Sequence, residues 1–142
     1  MDPRLVIGRA MAAIASDSRF LRRLPGCDFL TGGCLVYAAA VDAYADQRGT
    51  PAYVITETGA EPILQHVVLI VDDICYDGSG ALPCADFLAR MRAAAAERGE
   101  IDHLVTEIDQ DLARQLAEFH LDDGLVDDLA AAFHAELGAW PR

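Results

Sequence analysis

The sequence predicts an α+β fold in which one helix packs on a small, mostly antiparallel sheet, with extra helices at both ends. Three observations predict it. The chain has 142 residues, 53% of them apolar, which is enough for a single buried core. Residues 64–77 have the pattern of a β-hairpin, with an acidic pair between two apolar runs. The segments before and after this hairpin have helical spacing of apolar residues between glycine and proline stops.

The N-terminal segment is predicted to be helical. Pro3 stands in the opening turn of a first helix that extends to Ile14, and residues 18–24 form a second short helix before Pro25 and Gly26. A third helix begins at Cys34 and stops at Gly49. It places four apolar residues on one face: Leu35, Ala38, Val41 and Ala45.

The strands follow this third helix. Residues 52–56 are rich in β-branched and aromatic side chains, which is typical of a strand. Residues 64–71 are apolar except for His66 and predict a buried strand. A turn at Asp72 and Asp73 returns the chain as a partner strand over 74–77, and glycines close the hairpin after Asp77.

The rest of the chain is predicted to be mainly helical. An alanine-rich helix over 84–98 ends at Gly99, and 104–108 forms another strand. A helix capped by Asp109 or Asp111 extends to Phe119, and a last helix covers 125–137. We predict one domain, 1–142, with N-terminal helices in 1–25, a catalytic core in 26–108 and acidic helices in 109–142.

The charge of the chain is strongly negative and unevenly distributed. The net charge is −12, and residues 99–142 contain 11 acidic and 2 basic residues. Such a surface repels phosphates and anionic lipids, so we expect neither nucleic acid nor membrane as a partner. A basic protein partner for the acidic C-terminal helices is a further expectation.

The apolar runs and cysteines define the expected compartment. No run approaches the roughly 20 apolar residues of a membrane span, and no secretory signal is visible, so a cytoplasmic protein is expected. The four cysteines are then reduced. The nearest two stand nine positions apart, without the close spacing of zinc ligands, so we predict no metal and no cofactor.

Cys34 is the strongest candidate nucleophile. A thiol attacks as thiolate, and the N–H groups and dipole of a helix N-terminus favour that form. Gly32 and Gly33 leave space for a substrate carbonyl and for N–H groups that face an oxyanion, with the Cys34 amide as candidate donor. Thr31 is expected to line the same pocket. The alternative is a turn followed by a small buried helix residue.

His66 and Asp77 complete the candidate site. A polar ring inside an apolar strand requires a reason, and as general base His66 accepts the thiol proton. The turn at 72–73 brings positions 66 and 77 near each other, two residues out of direct register. Asp77 then orients the second nitrogen of the ring. The alternatives are a core histidine bonded to a carbonyl and an aspartate that serves the turn.

These residues resemble the papain-like cysteine hydrolase superfamily, in particular its small transglutaminase-like and arylamine N-acetyltransferase-like cores. The resemblance covers about residues 29–80 and is carried by Gly32-Gly33-Cys34, His66-Val67-Val68 and Tyr76-Asp77-Gly78. It implies a catalytic helix packed on a sheet and an acyl-enzyme on Cys34. Leu35 stands where transglutaminases carry an aromatic residue, and Leu30-Thr31 where acetyltransferases carry arginine. A peptidase, amidase, deamidase or acyltransferase remains possible within this class.

Two functions follow from the sequence. The first is a cysteine-dependent hydrolase or acyltransferase that uses Cys34, His66 and Asp77 on a protein or peptide substrate. The second is a non-enzymatic acidic binding or inhibitory factor of a bacterium or phage. The other histidines, at 103, 120 and 134, are expected on the surface, and Cys75 is expected in the core. Cys27 and Cys84 show no partner pattern in the sequence.

Overall fold

The computed structural model describes residues 2–24, 27–30, 33–57, 62–117 and 123–141, which form six helices and five strands. The helices are α1 (Pro3–Ala15), α2 (Ser18–Leu21), α3 (Cys34–Tyr44), α4 (Cys84–Glu97), α5 (Gln110–Ala117) and α6 (Asp123–Leu137). The strands are β1 (Thr50–Glu57), β2 (Ile63–Val71), β3 (Ile74–Asp77), β4 (Gly80–Pro83) and β5 (Ile101–Val105). None of the helices in these residues is long and apolar enough to cross a membrane.

The strands form one antiparallel sheet in the order β4-β3-β2-β1-β5. The predicted α+β class and antiparallel sheet are therefore confirmed. The hairpin register is also as predicted, because Val71 pairs with Ile74 and Leu69 with Tyr76 around the two-residue turn. Asp72 has φ of 56°, in the left-handed region that such a turn uses and that aspartate tolerates.

The sheet separates two apolar clusters. Alternate residues of β2 point to opposite faces, so that Val67 and Leu69 join the larger cluster while Val68 joins the smaller. The larger cluster contains the buried faces of α1, α3 and α6, and the smaller contains Phe87 of α4. Helix α3 is thereby held against β2 and β3, which places its first residue beside the sheet.

Helix α6 contributes an apolar face to the larger cluster despite its many acidic residues. Leu125, Leu129 and Phe133 are fully buried, at intervals that return to one side of the helix. The segment after α6 is fixed by Tyr44, whose hydroxyl donates to the carbonyl of Gly138 at 2.7 Å and whose ring meets Trp140. The end of the chain is therefore part of the core beneath α3.

Helix α3 ends earlier than the sequence indicates, at Tyr44 rather than near Gly49. Asp46 and Gln47 take left-handed φ values of 56° and 59°, which end the helical path. Asp42 accepts the released backbone donors: its carbonyl accepts from Gln47 N–H at 2.8 Å and its Oδ1 from Gly49 N–H at 2.9 Å. Gly49 thus lies in the connection that leads into β1. A Cβ there would lie 2.7 Å from Leu69.

Two strands also differ from the prediction. Strand β4 was not predicted; Gly78 and Ser79 form a turn, and Asp77 pairs with Gly80 across it. Strand β5 lies at Ile101–Val105 instead of 104–108, because the polar residue Asp102 is buried and bonded to the Thr56 hydroxyl at 2.5 Å. The predicted end of the fifth helix, at 118–119, lies outside the described residues.

Candidate active site

The three residues of the predicted triad lie together. Cys34 is the first residue of α3, His66 lies in β2, and Asp77 is the last residue of β3. His66 Nε2 is 3.0 Å from Asp77 Oδ2, and the His66 ring also makes a hydrogen bond with the Cys34 sulfur. Because Nε2 faces Asp77, Nδ1 is the nitrogen left to face the thiol. A thiol, an imidazole and a carboxylate thus form one hydrogen-bonded chain, which is the arrangement that a nucleophile, a base and an orienting group require.

The hairpin explains why His66 and Asp77 meet. In the register set by the 72–73 turn, Asp77 follows Tyr76, the partner of Leu69, and so stands diagonally across from His66. Positions 66 and 77 belong to the same face of the sheet as Val68 and Cys75. The pairing of β2 with β1 shifts between Val54–His66 and Ile55–Leu64, so Gln65 is an extra residue beside the histidine.

Asp77 is held on both oxygens. Oδ2 accepts the bond to His66, while Oδ1 accepts from the Ser79 N–H at 2.9 Å and from the Ser79 hydroxyl at 2.5 Å. Only 11% of the Asp77 side chain is exposed. Burial raises the pKa of Asp77, but the hydrogen bonds from His66 and Ser79 outweigh it, and the pKa of this carboxyl is lowered. Asp77 is therefore charged at neutral pH.

The Cys34 sulfur lies among hydrogen-bond donors. Burial raises the pKa of the Cys34 thiol, but the His66 ring and the N–H groups of Val67 and Leu35 lower it, and the net pKa is below that of an ordinary thiol. Leu35 N–H belongs to the first turn of α3. The first turn of α3 thus supplies one backbone donor to the Cys34 sulfur, and β2 supplies a second.

The pKa of His66 is shifted in the opposite direction to that of Cys34. Burial lowers its pKa, but hydrogen bonds and charge interactions with Asp77 and Cys34 raise it, and the net pKa is about 9. At neutral pH His66 is therefore an imidazolium, and it lies beside a thiol whose pKa is lowered. A thiolate beside an imidazolium is the state in which a cysteine nucleophile attacks without first losing a proton, with the proton for a leaving group already on the ring.

The loop before α3 is tightly packed where it is described. Gly33 donates its N–H to the Asp28 carbonyl at 2.9 Å, and a Cβ on Gly33 would come within 2.6 Å of that oxygen. Since the Gly33 donor is occupied, the Cys34 N–H is the candidate oxyanion donor here; no hydrogen bond joins it to another described residue. Thr31 and Gly32 lie outside the described residues.

Two cavities adjoin the His66 and Asp77 side chains, and both are bordered by Phe87 and Arg90 of α4. One, of about 280 Å³, is lined by His66, Asp77 and the apolar face of α4. The other, of about 340 Å³, lies at the β4 edge between α1 and α4 and includes Asp77, Ser79 and Arg9. Cys34 is not among the residues that line either cavity.

The remaining histidines and cysteines have other surroundings. His103 and His134 are on the surface as expected, His103 with Nε2 3.6 Å from Glu57; His120 lies outside the described residues. Cys75 is buried as expected, and the sulfur of Cys84, for which the sequence shows no partner pattern, lies 3.1 Å from that of Cys75. Among the described residues, no cluster of three or more metal-ligating side chains occurs.

Two residues beside the triad were missed in the sequence. Ser79 fixes Asp77, and the signal for it is the Asp-x-Ser spacing of a side-chain-capped turn. Tyr37 lies one turn after Cys34, close enough to Asp77 for that charge to add to the burial that raises the pKa of its hydroxyl. The buried Tyr37 oxygen has no hydrogen-bond partner among the described residues, and only its three-residue spacing from Cys34 hints at this position.

Comparisons of the chain with protein-family models, with curated proteins and with solved structures find no match. The chemistry of this protein is therefore inferred from the geometry and ionisation of Cys34, His66 and Asp77.

Proposed function

We propose that the protein is a cysteine-dependent hydrolase or acyltransferase that forms an acyl-enzyme on Cys34. The observation that carries this proposal is the hydrogen-bonded chain from the Cys34 sulfur through the His66 ring to Asp77, in which the His66–Asp77 distance is 3.0 Å. The depressed pKa of Cys34 and the raised pKa of His66 suit the ion pair that such enzymes use. The resemblance to a papain-like core is part of the same proposal.

Acylation begins with attack of the Cys34 thiolate on the carbonyl carbon of an amide, ester or thioester. A carbon–sulfur bond forms, and the carbonyl electron pair moves to oxygen, which accepts a hydrogen bond from the Cys34 N–H. When the tetrahedral intermediate collapses, the bond to the leaving group breaks. The leaving amine, alcohol or thiol takes the proton of the His66 imidazolium, and a thioester on Cys34 remains.

Deacylation reverses these roles. The neutral His66 ring removes a proton from water or from a second nucleophile as it attacks the thioester carbonyl. The carbon–sulfur bond then breaks, the acyl product leaves, and thiolate and imidazolium are restored. Asp77 stays charged throughout, because its two oxygens accept bonds from His66 and Ser79, and it keeps the ring in the required orientation.

Covalent labelling of the Cys34 thiol tests this proposal, because labelling requires no natural substrate. The protein is treated near pH 6 with iodoacetamide, and separately with p-nitrophenyl acetate, and adducts are followed by intact mass. We expect one carbamidomethyl or acetyl group per chain, on Cys34, with the acetyl group lost on further incubation. Replacing Cys34 by alanine lowers the alkylation rate by about tenfold or more, because ordinary thiols are mostly protonated at this pH.

Cys27→Ala is the matched control. Cys27 is also half-buried and near Cys34, but burial, Asp28 and Cys34 raise its pKa, so its removal leaves the fast labelling intact. His66→Gln slows both alkylation near pH 6 and acetyl transfer while circular dichroism remains that of the native fold. Equal labelling of Cys34→Ala and the unaltered protein would contradict the proposal.

A further inference from the structure

A second thiol pair lies outside the triad. The sulfur of Cys75, in β3, is 3.1 Å from the sulfur of Cys84, the first residue of α4. Both are free thiols. Neither takes part in the chemistry assigned to Cys34, His66 and Asp77.

The β3–β4 hairpin holds this pair in place. Cys75 pairs with Leu82 across the hairpin, and Ile74 with Pro83, so that Cys84 follows directly at the end of the ladder. The Cys84 N–H donates to the Asp73 carbonyl at 2.8 Å, which fixes the start of α4 against the 72–73 turn. Both side chains face the smaller apolar cluster. The sulfur–sulfur contact is thus built by backbone hydrogen bonds on both sides.

The two cysteines differ in access. Cys75 is 2% exposed, and burial together with the bond to Cys84 raises the pKa of its thiol strongly. Cys84 is only half-buried. An oxidant from solution therefore reacts with Cys84 first. Cys75 is a protonated thiol in contact with the Cys84 sulfur.

We propose that Cys75 and Cys84 are a site of reversible oxidation by hydroperoxides, with a Cys75–Cys84 disulfide as product. The Cys84 thiolate attacks one peroxide oxygen, the O–O bond breaks, and the other oxygen leaves as water or alcohol after taking up a proton. This step gives a sulfenic acid on Cys84. The Cys75 sulfur then attacks the Cys84 sulfur, the S–O bond breaks, and the hydroxide released takes the Cys75 proton to form water.

In total the two thiols lose two electrons and become a disulfide. The hydroperoxide gains these electrons and yields one water together with a second water or an alcohol. A thiol reductant restores both cysteines. The disulfide closes the segment between positions 75 and 84, which contains Asp77 and Ser79. Oxidation thus joins β3 to the start of α4 beside the carboxylate that bonds His66. The proposal does not depend on the function proposed for Cys34.

The positions of the arginines provide a direct test. Trypsin cleaves after Arg23, Arg48 and Arg90, so one peptide, 24–48, carries Cys27 and Cys34, and another, 49–90, carries Cys75 and Cys84. The full chain is treated with hydrogen peroxide, unreacted thiols are blocked with iodoacetamide, and the peptides are weighed. We expect peptide 49–90 to be unalkylated and about 2 Da lighter than its dithiol form, and to take up two alkyl groups after dithiothreitol.

Two variants make the result specific. Cys84→Ser, at a half-buried position, leaves a serine hydroxyl in place of the thiol and abolishes the change in peptide 49–90. Cys27→Ser leaves it unchanged, because Cys27 lies on the other peptide. Retention of both Cys75 and Cys84 thiols while peptide 24–48 is oxidised would overturn the proposal. So would oxidation of Cys84 to sulfinic acid without a disulfide, in protein that circular dichroism shows to be folded.

Discussion

At the scale of single residues, His66 has a raised pKa and bonds two groups whose pKa values are lowered. Its ring bonds both the Cys34 sulfur, whose pKa is lowered, and Asp77, whose carboxyl pKa is also lowered. Each negative partner raises the pKa of the ring, which reaches about 9 despite a burial that lowers it. Both shifts favour a proton on the imidazole over a proton on the sulfur, which is the ionisation that the proposed function requires.

Replacement of Asp77 by asparagine tests this linkage. Without the carboxylate, the pKa of His66 falls from about 9 toward its ordinary value of 6.5, because burial then opposes the imidazolium with less compensation. The alkaline limb of the pH profile for acetyl transfer to Cys34 follows the loss of imidazolium. We expect that limb to move down by at least about one pH unit, with a rate at pH 8 reduced roughly tenfold or more.

Asp86→Asn provides the control for this variant, since Asp86 is an exposed carboxyl in the first turn of α4. Its pH profile is expected to match that of the unaltered protein. An unmoved alkaline limb in Asp77→Asn, with native circular dichroism, would show that Asp77 does not set the ionisation of His66.

Gly33→Ala tests the packing before the nucleophile. A Cβ would come within 2.6 Å of the Asp28 carbonyl oxygen and 2.9 Å of the Leu24 side chain, and a backbone oxygen held in a hydrogen bond has little room to move. We expect the free energy of unfolding in urea to fall by about 1–3 kcal/mol. Alkylation of Cys34 near pH 6 slows as the start of α3 shifts. Unchanged stability and labelling would mean that the loop accommodates the methyl group.

At the scale of elements, the β2–β3–β4 meander positions most of the site. Its 72–73 turn sets the register of His66 and Asp77, and its 78–79 turn brings Ser79 onto Asp77. The same second hairpin delivers Cys84 to Cys75. Successive side chains of a strand point to opposite faces, so a shift of one residue in either turn would turn Asp77 to the opposite face of the sheet.

Helix α6 is expected to be a structural element despite its acidic surface. Phe133 is fully buried against the rings of Tyr37 and Tyr44, so Phe133→Ala leaves a cavity beneath α3. The expected loss in the free energy of unfolding is about 3–5 kcal/mol by urea denaturation. Asp127→Ala, an exposed change on the same helix, is expected to alter it by no more than about 0.5 kcal/mol. Similar values for both variants would contradict a core role for α6.

At the scale of the whole molecule, the net charge of −12 favours positively charged partners. Part of the C-terminal negative charge meets N-terminal arginines, since Arg23 bonds Asp128 at 2.5 Å and Arg19 lies 3.9 Å from Glu136. The non-enzymatic acidic binding factor of the second hypothesis would use the remaining exposed acids. This function stays a prediction.

Binding of labelled polyarginine and polyglutamate peptides, followed by fluorescence anisotropy, tests where the charge acts. We expect polyarginine to bind at low salt, with an affinity that falls steeply as salt is added, and polyglutamate not to bind. The double variant Asp127→Asn, Glu136→Gln should weaken binding more than Asp86→Asn, Glu97→Gln, which removes equal charge from α4. Equal effects would show a general charge effect without a C-terminal site. Cys34→Ala is expected to leave this binding unchanged.

The α+β class, the hairpin register and the three candidate residues can be predicted from the sequence, because each depends on a local signal. A glycine pair marks the start of a helix, a histidine interrupts an apolar strand, and a two-residue turn fixes which positions of the strands face each other. These signals need no knowledge of distant contacts.

Features that depend on pairing between distant segments become visible only in the folded chain. Strand β4 has four residues and ends in proline, so it is recognised by its partner β3 rather than by its own pattern. Strand β5 was misplaced because Asp102 is buried through a bond to Thr56, 46 positions earlier. Likewise, Ser79 reaches Asp77 and Cys84 reaches Cys75 only once the second hairpin has formed, since sequence spacing does not fix where side chains meet.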